Sequence, residues 1–100
     1  MSDRNASITR TTAETEVHAH VAIDGTGVFT GSTGLGFLDH MLAQLARHGL
    51  FDIQVKATGD LHIDSHHTAE DVGIVIGRAF NDALGDRQGI RRMGDATVPM

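Results

Sequence analysis

The chain has 100 residues, 40% of them hydrophobic and 21% charged, a balance typical of one small globular domain and not of a disordered chain. Its formal net charge of −5 argues against general nucleic-acid binding. The longest apolar run, Val72–Ile76, is broken by Gly73 and excludes a membrane span. Because the chain has no cysteine and opens on the polar MSDRNAS, we expect a cytoplasmic protein without disulfides or thiolate ligands.

The first third of the chain has the alternation of β-strands. In ASITRTTAETEVHAHVAID, the apolar residues Val17, Ala19, Val21 and Ile23 stand at every second position, which predicts two short strands or one long bent strand. The DGTG sequence at 24–27 predicts a turn. The VFTGST sequence that follows predicts a third short strand.

The period then changes to that of a helix. In GFLDHMLAQLARHG, an apolar stripe at helical spacing predicts a helix that ends at Gly49; the stripe is Leu38, Met41, Leu42 and Leu45. FDIQVKA returns to strand alternation. The tail GIRRMGDATVPM predicts a loop that runs into another strand.

A second helix is predicted over about residues 67–84, ending at Gly85. Its apolar arc is wider than the stripe of a helix that lies on one sheet. We therefore expect Ile76 and Phe80 to be buried by a second copy of the chain. The order of elements predicts one α+β domain over residues 1–100, with an antiparallel or mixed sheet and two helices on one face.

The segment IDSHHTAED, residues 63–71, is the strongest candidate for a metal site. Imidazole nitrogens and carboxylate oxygens together suit manganese, iron, zinc and similar divalent ions. On a helix, Glu70 can share a face with His66 or with His67. Adjacent helical residues point about 100° apart, so His66 and His67 favour two ions over one. The alternative is a polar helix start, capped by Asp64 or Ser65 and carrying no metal.

Other histidines are weaker candidates. His40 lies off the apolar stripe of its helix, so burial in the core does not explain it. His18 and His20 share one face of a strand and could chelate, but an exposed strand face is the simpler and favoured account. His48 near the end of its helix is favourably placed against the helix dipole.

Three arginines follow the second helix within a few residues: Arg87, Arg91 and Arg92. Such a cluster can hold a phosphate through paired hydrogen bonds. A solvated basic loop is the alternative, and the spacing does not separate the two.

Taken together, the motifs RTTAET, FLDHML, ATGDLHIDSHHTAEDVGIVIG and ALGDRQGIRRMGD closely resemble imidazoleglycerol-phosphate dehydratase. The resemblance runs from about Arg10 to Met100. It implies the fold of that family, a pair of similar halves, each with a four-stranded sheet and two helices. It also implies two manganese ions per complete site and the dehydration of imidazoleglycerol phosphate to imidazole acetol phosphate in histidine biosynthesis.

The resemblance also assigns roles to residues of this chain. His40, His66, His67 and Glu70 match metal ligands of the family, and Glu14 in AET matches a residue that contacts substrate. Arg92 matches a phosphate-binding arginine, and Arg87 stands where the family often has lysine. A neighbouring carboxylate can move the proton from carbon, and Glu14 and Glu70 are the candidates, with Glu70 first a ligand and second a base.

The resembled enzymes are about twice as long as this chain, and their second half repeats the metal-binding pattern. We therefore expect residues 1–100 to be a single half-domain, either a dissected piece or a half-length ancestor. Its expected partners are a small phosphate substrate and further copies of itself, or the second half. The alternative to a dehydratase is a catalytically silent metal-binding half-domain.

Overall fold

The alternating stretch near the amino terminus forms two strands joined by a short turn. The computed structural model describes residues 4–99, so residues 1–3 and Met100 of the predicted domain lie outside the described part. Strand β1 is Asn5–Thr11 and strand β2 is Thr15–Ala22. They pair antiparallel, with Asn5 opposite Ala22 and Thr11 opposite Glu16. The two-strand prediction is confirmed.

The remaining strands complete a mixed sheet. Strand β3 is Phe29–Ser32 and strand β4 is Asp52–Gly59. The order across the sheet is β1-β2-β4-β3, in which β4 is antiparallel to β2 and parallel to β3. The crossover between the parallel strands contains helix α1, Gly36–Gly49. A crossover of this kind is what parallel pairing requires.

Helix α2, His66–Leu84, packs against the covered face of the sheet and shares the core with it. The sheet contributes alternate residues of β2 and β4, and the helix contributes its inward stripe: Val17, Ala19, Val21, Ile53, Val55, Val72, Val75, Ile76 and Ala79 are all buried. The predicted α+β class, with a four-stranded sheet and two helices on one face, is confirmed. No helix among the described residues is both long and apolar enough to cross a membrane.

Three details differ from the predictions. Ile76 is buried by its own chain, and the Phe80 ring packs edge-on against Phe51 with centroids 5.0 Å apart. Burial of Ile76 therefore needs no second copy, whereas Phe80 is half-buried, and the expected contact of this flank of α2 with a second copy stays a prediction. In α1, Leu42 is buried but Met41 and Leu45 remain 36% and 41% exposed, so the predicted stripe is only partly covered. The tail forms no strand within residues 86–99, since nothing there pairs with the sheet.

Candidate metal and substrate site

The first turn of α2 is held by the loop that precedes it. Ser65 is the residue before the helix, and its side chain makes no capping hydrogen bond. Asp64 has that role instead, because its Oδ1 accepts a hydrogen bond from the His66 backbone N–H at 3.2 Å. This bond lowers the pKa of the Asp64 carboxyl. The cap fixes where His66 and His67 begin the helix.

His66 and Glu70 form a pair on the exposed side of α2. The His66 Nε2 lies 3.2 Å from the Glu70 Oε2, at the one-turn spacing that brings helical side chains together. Both side chains are largely exposed. One imidazole nitrogen and one carboxylate oxygen thus contact each other, and both are atoms of the kinds that bind divalent ions.

His67 turns away from that pair and contacts a different carboxylate. Its Nδ1 lies 2.7 Å from the Asp60 Oδ2. The two histidine rings are 5.6 Å apart between centroids and tilted by 65°. The hydrogen bond to Asp60 raises the pKa of His67, and the charges of Asp60, Glu14 and Asp71 add to the effect. The two rings therefore contact different carboxylates, and the expectation of two ions stays a prediction.

Glu14 stands in the turn between β1 and β2. The Thr12 Oγ1 accepts hydrogen bonds from the backbone N–H groups of Glu14 and Thr15, at 3.2 and 3.1 Å, so the side chain of Thr12 shapes the turn. A cavity of about 400 Å³ opens beside it, lined by Glu14, Asp60 and His62 among others. The turn thus brings Glu14 to the region where β4 ends and α2 begins.

Asp71 joins the same region from a buried position. It accepts a hydrogen bond from the Thr15 hydroxyl and another, at 3.2 Å, from the Arg10 Nε. The hydroxyl contact and the nearby guanidinium lower the pKa of Asp71. The sequence analysis did not identify Asp60 or Asp71. The only sequence feature that points to either residue is that each is a carboxylate a few positions from the histidine pair.

His40 is not brought to this region. It is exposed on α1, and the ring contact it makes is a distant one to Phe37, with centroids 6.5 Å apart. Its neighbour Asp39 accepts hydrogen bonds from the Thr33 backbone N–H at 2.8 Å and from the Thr33 hydroxyl at 2.6 Å. Asp39 therefore anchors the start of α1 and does not orient His40.

The histidine and carboxylate side chains are of the types that bind divalent ions, but one copy of the chain holds them in separate places. Within residues 4–99, no three histidine, aspartate or glutamate side chains converge as a metal site would need. His66 with Glu70 is one fragment, His67 is a second and His40 a third. These residue types are therefore suitable ligands for such an ion. A full coordination shell would need ligands from more than one of these fragments.

The predicted arginine cluster lies on the surface beyond α2. Arg87 and Arg92 are exposed, and the Arg87 guanidinium donates a hydrogen bond to the Asn81 side-chain oxygen. Within the described residues, no hydrogen bond or ion pair links either arginine to the histidines of α2. The predicted phosphate role of this cluster stays a prediction.

The histidines of β2 are engaged by hydroxyls of β1. The His18 Nδ1 lies 2.8 Å from the Thr9 Oγ1, and the His20 Nδ1 lies 2.6 Å from the Ser7 Oγ. These are directly opposed residues of the antiparallel pair. The contacts agree with a polar outer face of the sheet, the simpler of the two interpretations of His18 and His20.

Comparison with known proteins identifies relatives of the whole described region. A family model described as imidazoleglycerol-phosphate dehydratase matches residues 33–100. Proteins named imidazoleglycerol-phosphate dehydratase from Acidovorax sp. (strain JS42) and Granulibacter bethesdensis are 59% and 60% identical, over 98% and 97% of this chain. The protein of that name from Alcanivorax borkumensis is 57% identical over 100 residues. The chain covers 47%, 50% and 49% of these three relatives, so it spans about half their length.

Proposed function

The chain belongs to the imidazoleglycerol-phosphate dehydratase family, and we propose that it carries one part of an active site that dehydrates imidazoleglycerol phosphate to imidazole acetol phosphate. This reaction would be a step in histidine biosynthesis. The observation that carries the proposal is that Glu14 lines one cavity with Asp60, the residue that contacts His67, and that the Glu14 charge acts on His67. A carboxylate near a histidine of the kind that binds metal ions supports the proposal.

We propose manganese as the metal, held by His66 with Glu70, by His67 and by His40. Mixed imidazole and carboxylate donors support such an ion, although zinc or iron would accept the same set. When bound, divalent ions would hold the substrate imidazole and withdraw electrons from it, which helps a hydroxyl group to leave. The separate directions of the His66 and His67 rings support two ions per complete site.

Glu14 is the residue we propose to move the proton. Glu70 is engaged with His66, whereas the Glu14 side chain is exposed beside the cavity and is set by a structured turn. A carboxylate in that position can take a proton from a substrate carbon that faces it. Arg92, with Arg87 beside it, is proposed to hold the substrate phosphate, since guanidinium groups bind phosphate through paired hydrogen bonds.

The working form is proposed to be a homo-oligomer, or an assembly with a chain that resembles the other half of the relatives. The α1 apolar surface, defined as Phe37, Met41 and Leu45, supports this because all three side chains are exposed. Assembly would also bring together ligand fragments that one copy keeps apart. A cysteine-free chain suits the reducing cytoplasm, where we propose that it works.

A silent metal-binding half-domain is the second candidate. The observation in its favour is that the described residues of one copy do not gather three metal-capable side chains. Such a module would bind ions through His66, His67 and Glu70 and would assemble, but it would not turn substrate over.

Turnover of imidazoleglycerol phosphate by the manganese-loaded chain separates the two candidates. We expect product from the native chain and a fall in rate of about 10²–10⁴-fold in Glu14→Gln, the range that a general acid or base contributes. Asp82→Asn is the control, because Asp82 is an exposed carboxylate near the far end of α2. An assembled, metal-loaded native chain that forms no product would favour the silent module.

A further inference from the structure

We propose that Asp60 is a positioning residue that fixes the ring tautomer of His67, so that His67 offers its Nε2 to a metal ion. The inference rests on the proposed function, because only there is His67 a metal ligand. The contact that carries it is the 2.7 Å distance between the Asp60 Oδ2 and the His67 Nδ1. A carboxylate accepts hydrogen bonds, so the shared proton sits on Nδ1 and the lone pair is left on Nε2.

Asp60 is held in place by its own backbone and by burial. It follows the last residue of β4, Gly59, and its carbonyl accepts hydrogen bonds from the backbone N–H groups of Ile63 and Asp64, at 2.9 and 3.3 Å. Its side chain is only 16% exposed, against 44% for His67. The carboxylate is therefore the fixed partner, and the more exposed imidazole takes its orientation from it.

The close packing of β4 on α2 also restricts the movement of the Asp60 carboxylate. A side chain at Gly59 would overlap the Thr68 hydroxyl, so the strand end and the first turn of the helix are in direct contact. The Asp60 Oδ1 is buried and, among the described residues, has no hydrogen-bond partner. Burying a carboxylate oxygen without a partner is costly, and the Thr68 Oγ1 in the first turn of α2 is likewise buried without a partner among the described residues.

The two adjacent histidines are consequently unequal. His66 presents Nε2 towards Glu70, a proposed ligand, and none of the described carboxylates lies against its Nδ1. His67 has a carboxylate on Nδ1, the arrangement in which an outer carboxylate orients a histidine and increases its basicity towards a metal. His67 is therefore the histidine whose ring is set by a carboxylate outside the proposed ligand set, whereas His66 contacts only Glu70, itself a proposed ligand.

The test measures the tautomer and the metal affinity separately. In metal-free protein labelled with ¹⁵N-histidine, at a pH above the titration of the ring, native His67 should show mainly the tautomer protonated at Nδ1. Asp60→Ala should lose that preference, and its affinity for Mn²⁺ by calorimetric titration should fall about 10–100-fold. Asp82→Ala is the control, since Asp82 is an exposed carboxylate near the far end of α2; it should retain the His67 tautomer.

A His67 tautomer that is unchanged in Asp60→Ala would overturn the inference. A changed tautomer with unchanged Mn²⁺ affinity would also overturn it, and His67→Ala then shows where the failure lies. If His67→Ala weakens Mn²⁺ binding and Asp60→Ala does not, only the role of Asp60 fails. If His67→Ala leaves Mn²⁺ binding intact, His67 is not a ligand and the proposed function fails with it.

Discussion

Asp71 holds the start of α2 against the hairpin that carries Glu14. Its two oxygens accept hydrogen bonds from Thr15 and Arg10, residues of the first two strands. The contact is buried, so no water replaces a partner that is removed. The position of Glu14 relative to His67 therefore depends on a residue that itself faces away from the cavity.

Replacing Asp71 with asparagine should lower the free energy of unfolding by about 1–3 kcal/mol, the usual cost of a buried polar group left partly unpaired. Urea unfolding measures the change. Asp82→Asn, an exposed site on the same helix, should stay within about 0.5 kcal/mol of the native chain. Equal effects from both substitutions would contradict the hydrogen-bond network around Asp71.

The difference in stability between the native chain and Asp71→Asn should depend on pH. Hydrogen bonding by Thr15, with the charge of Arg10, lowers the pKa of Asp71 in the folded chain below its ordinary value of 3.8. The stability that results is present above that value and is lost as the pH falls through the folded pKa. The difference in stability between the native chain and Asp71→Asn should accordingly shrink in acid.

Removing either histidine of the pair should reduce divalent-metal binding. His66→Ala and His67→Ala should each lower the affinity for a divalent ion. The loss should exceed the roughly 10–100-fold loss that is typical of replacing a group that only supports a ligand. His18→Ala should not, because the His18 ring is engaged with Thr9 on the outer face of the sheet. Metal content by elemental analysis checks this. Equal loss from all three variants, or from none, would remove the metal assignment.

Arg92→Ala should weaken phosphate binding with little change in metal content. Loss of charge-assisted hydrogen bonds predicts roughly a ten- to hundredfold drop in affinity for inorganic phosphate, measured by calorimetric titration. Arg78→Ala removes an equally exposed arginine from the outer side of α2 and is the control. If the two variants bind phosphate like the native chain, the basic loop is simply solvated.

Whether a contact between two residues can be predicted depends on how far apart the residues lie along the chain. The pairing of His66 with Glu70 was predictable because helical geometry brings residues four apart together. The partners of Asp71 are 56 and 61 residues earlier, and no local pattern reports such contacts. Asp60 lies in a turn, where an aspartate is ordinary, so only the fold shows that it meets His67.

Among the elements, β3 depends on a glycine. Gly31 has a φ of +107°, and a side chain there would overlap the Val55 carbonyl oxygen of the neighbouring strand. Gly31→Ala should therefore separate β3 from β4 and lower the free energy of unfolding, by more than about 1 kcal/mol on the usual scale of backbone strain. Thermal or urea unfolding measures this change.

Gly77→Ala is the matched control for Gly31→Ala. Gly77 lies inside α2, and a β-carbon added there would have open space for 4 Å around it, so alanine should stabilise the helix by about 0.5–1 kcal/mol. Opposite signs for the two substitutions are the expected result. Stabilisation by both would show that the close approach at Gly31 does not exist in solution.

Strand alternation and helical period predicted every element because each is a local signal. Val17, Ala19 and Val21 identified the inner face of β2 without reference to the rest of the chain. The same signals did not predict the parallel pairing of β3 with β4, which depends on a crossover. The strand expected to begin in the tail is not formed within residues 86–99, where only Ile90, Thr97 and Val98 are β-branched.

At the scale of the whole molecule, apolar surface is left on α1 and not on α2. Phe37 is 72% exposed, and Met41 and Leu45 border a cavity of about 340 Å³ that Val98 of the tail also lines. Full burial of such side chains is worth roughly 1.5–3 kcal/mol each. Covering them in an assembly would offset part of the free energy that association costs.

Leu45→Glu should weaken assembly of the metal-loaded chain, because it places a charge in the α1 apolar surface. Gln88→Glu adds the same charge to an exposed loop after α2 and should assemble normally. Sedimentation velocity of the two variants at equal concentration compares them. Identical distributions would place the contact between copies elsewhere on the molecule.

One copy is proposed to carry fragments of a metal-dependent site, and assembly is proposed to complete it. Light scattering of the chain with Mn²⁺, before and after addition of a chelator, tests this directly. We expect a symmetric oligomer with bound metal and a shift towards smaller species when the metal is removed. A stable monomer of 10.7 kDa that keeps its metal would contradict the claim.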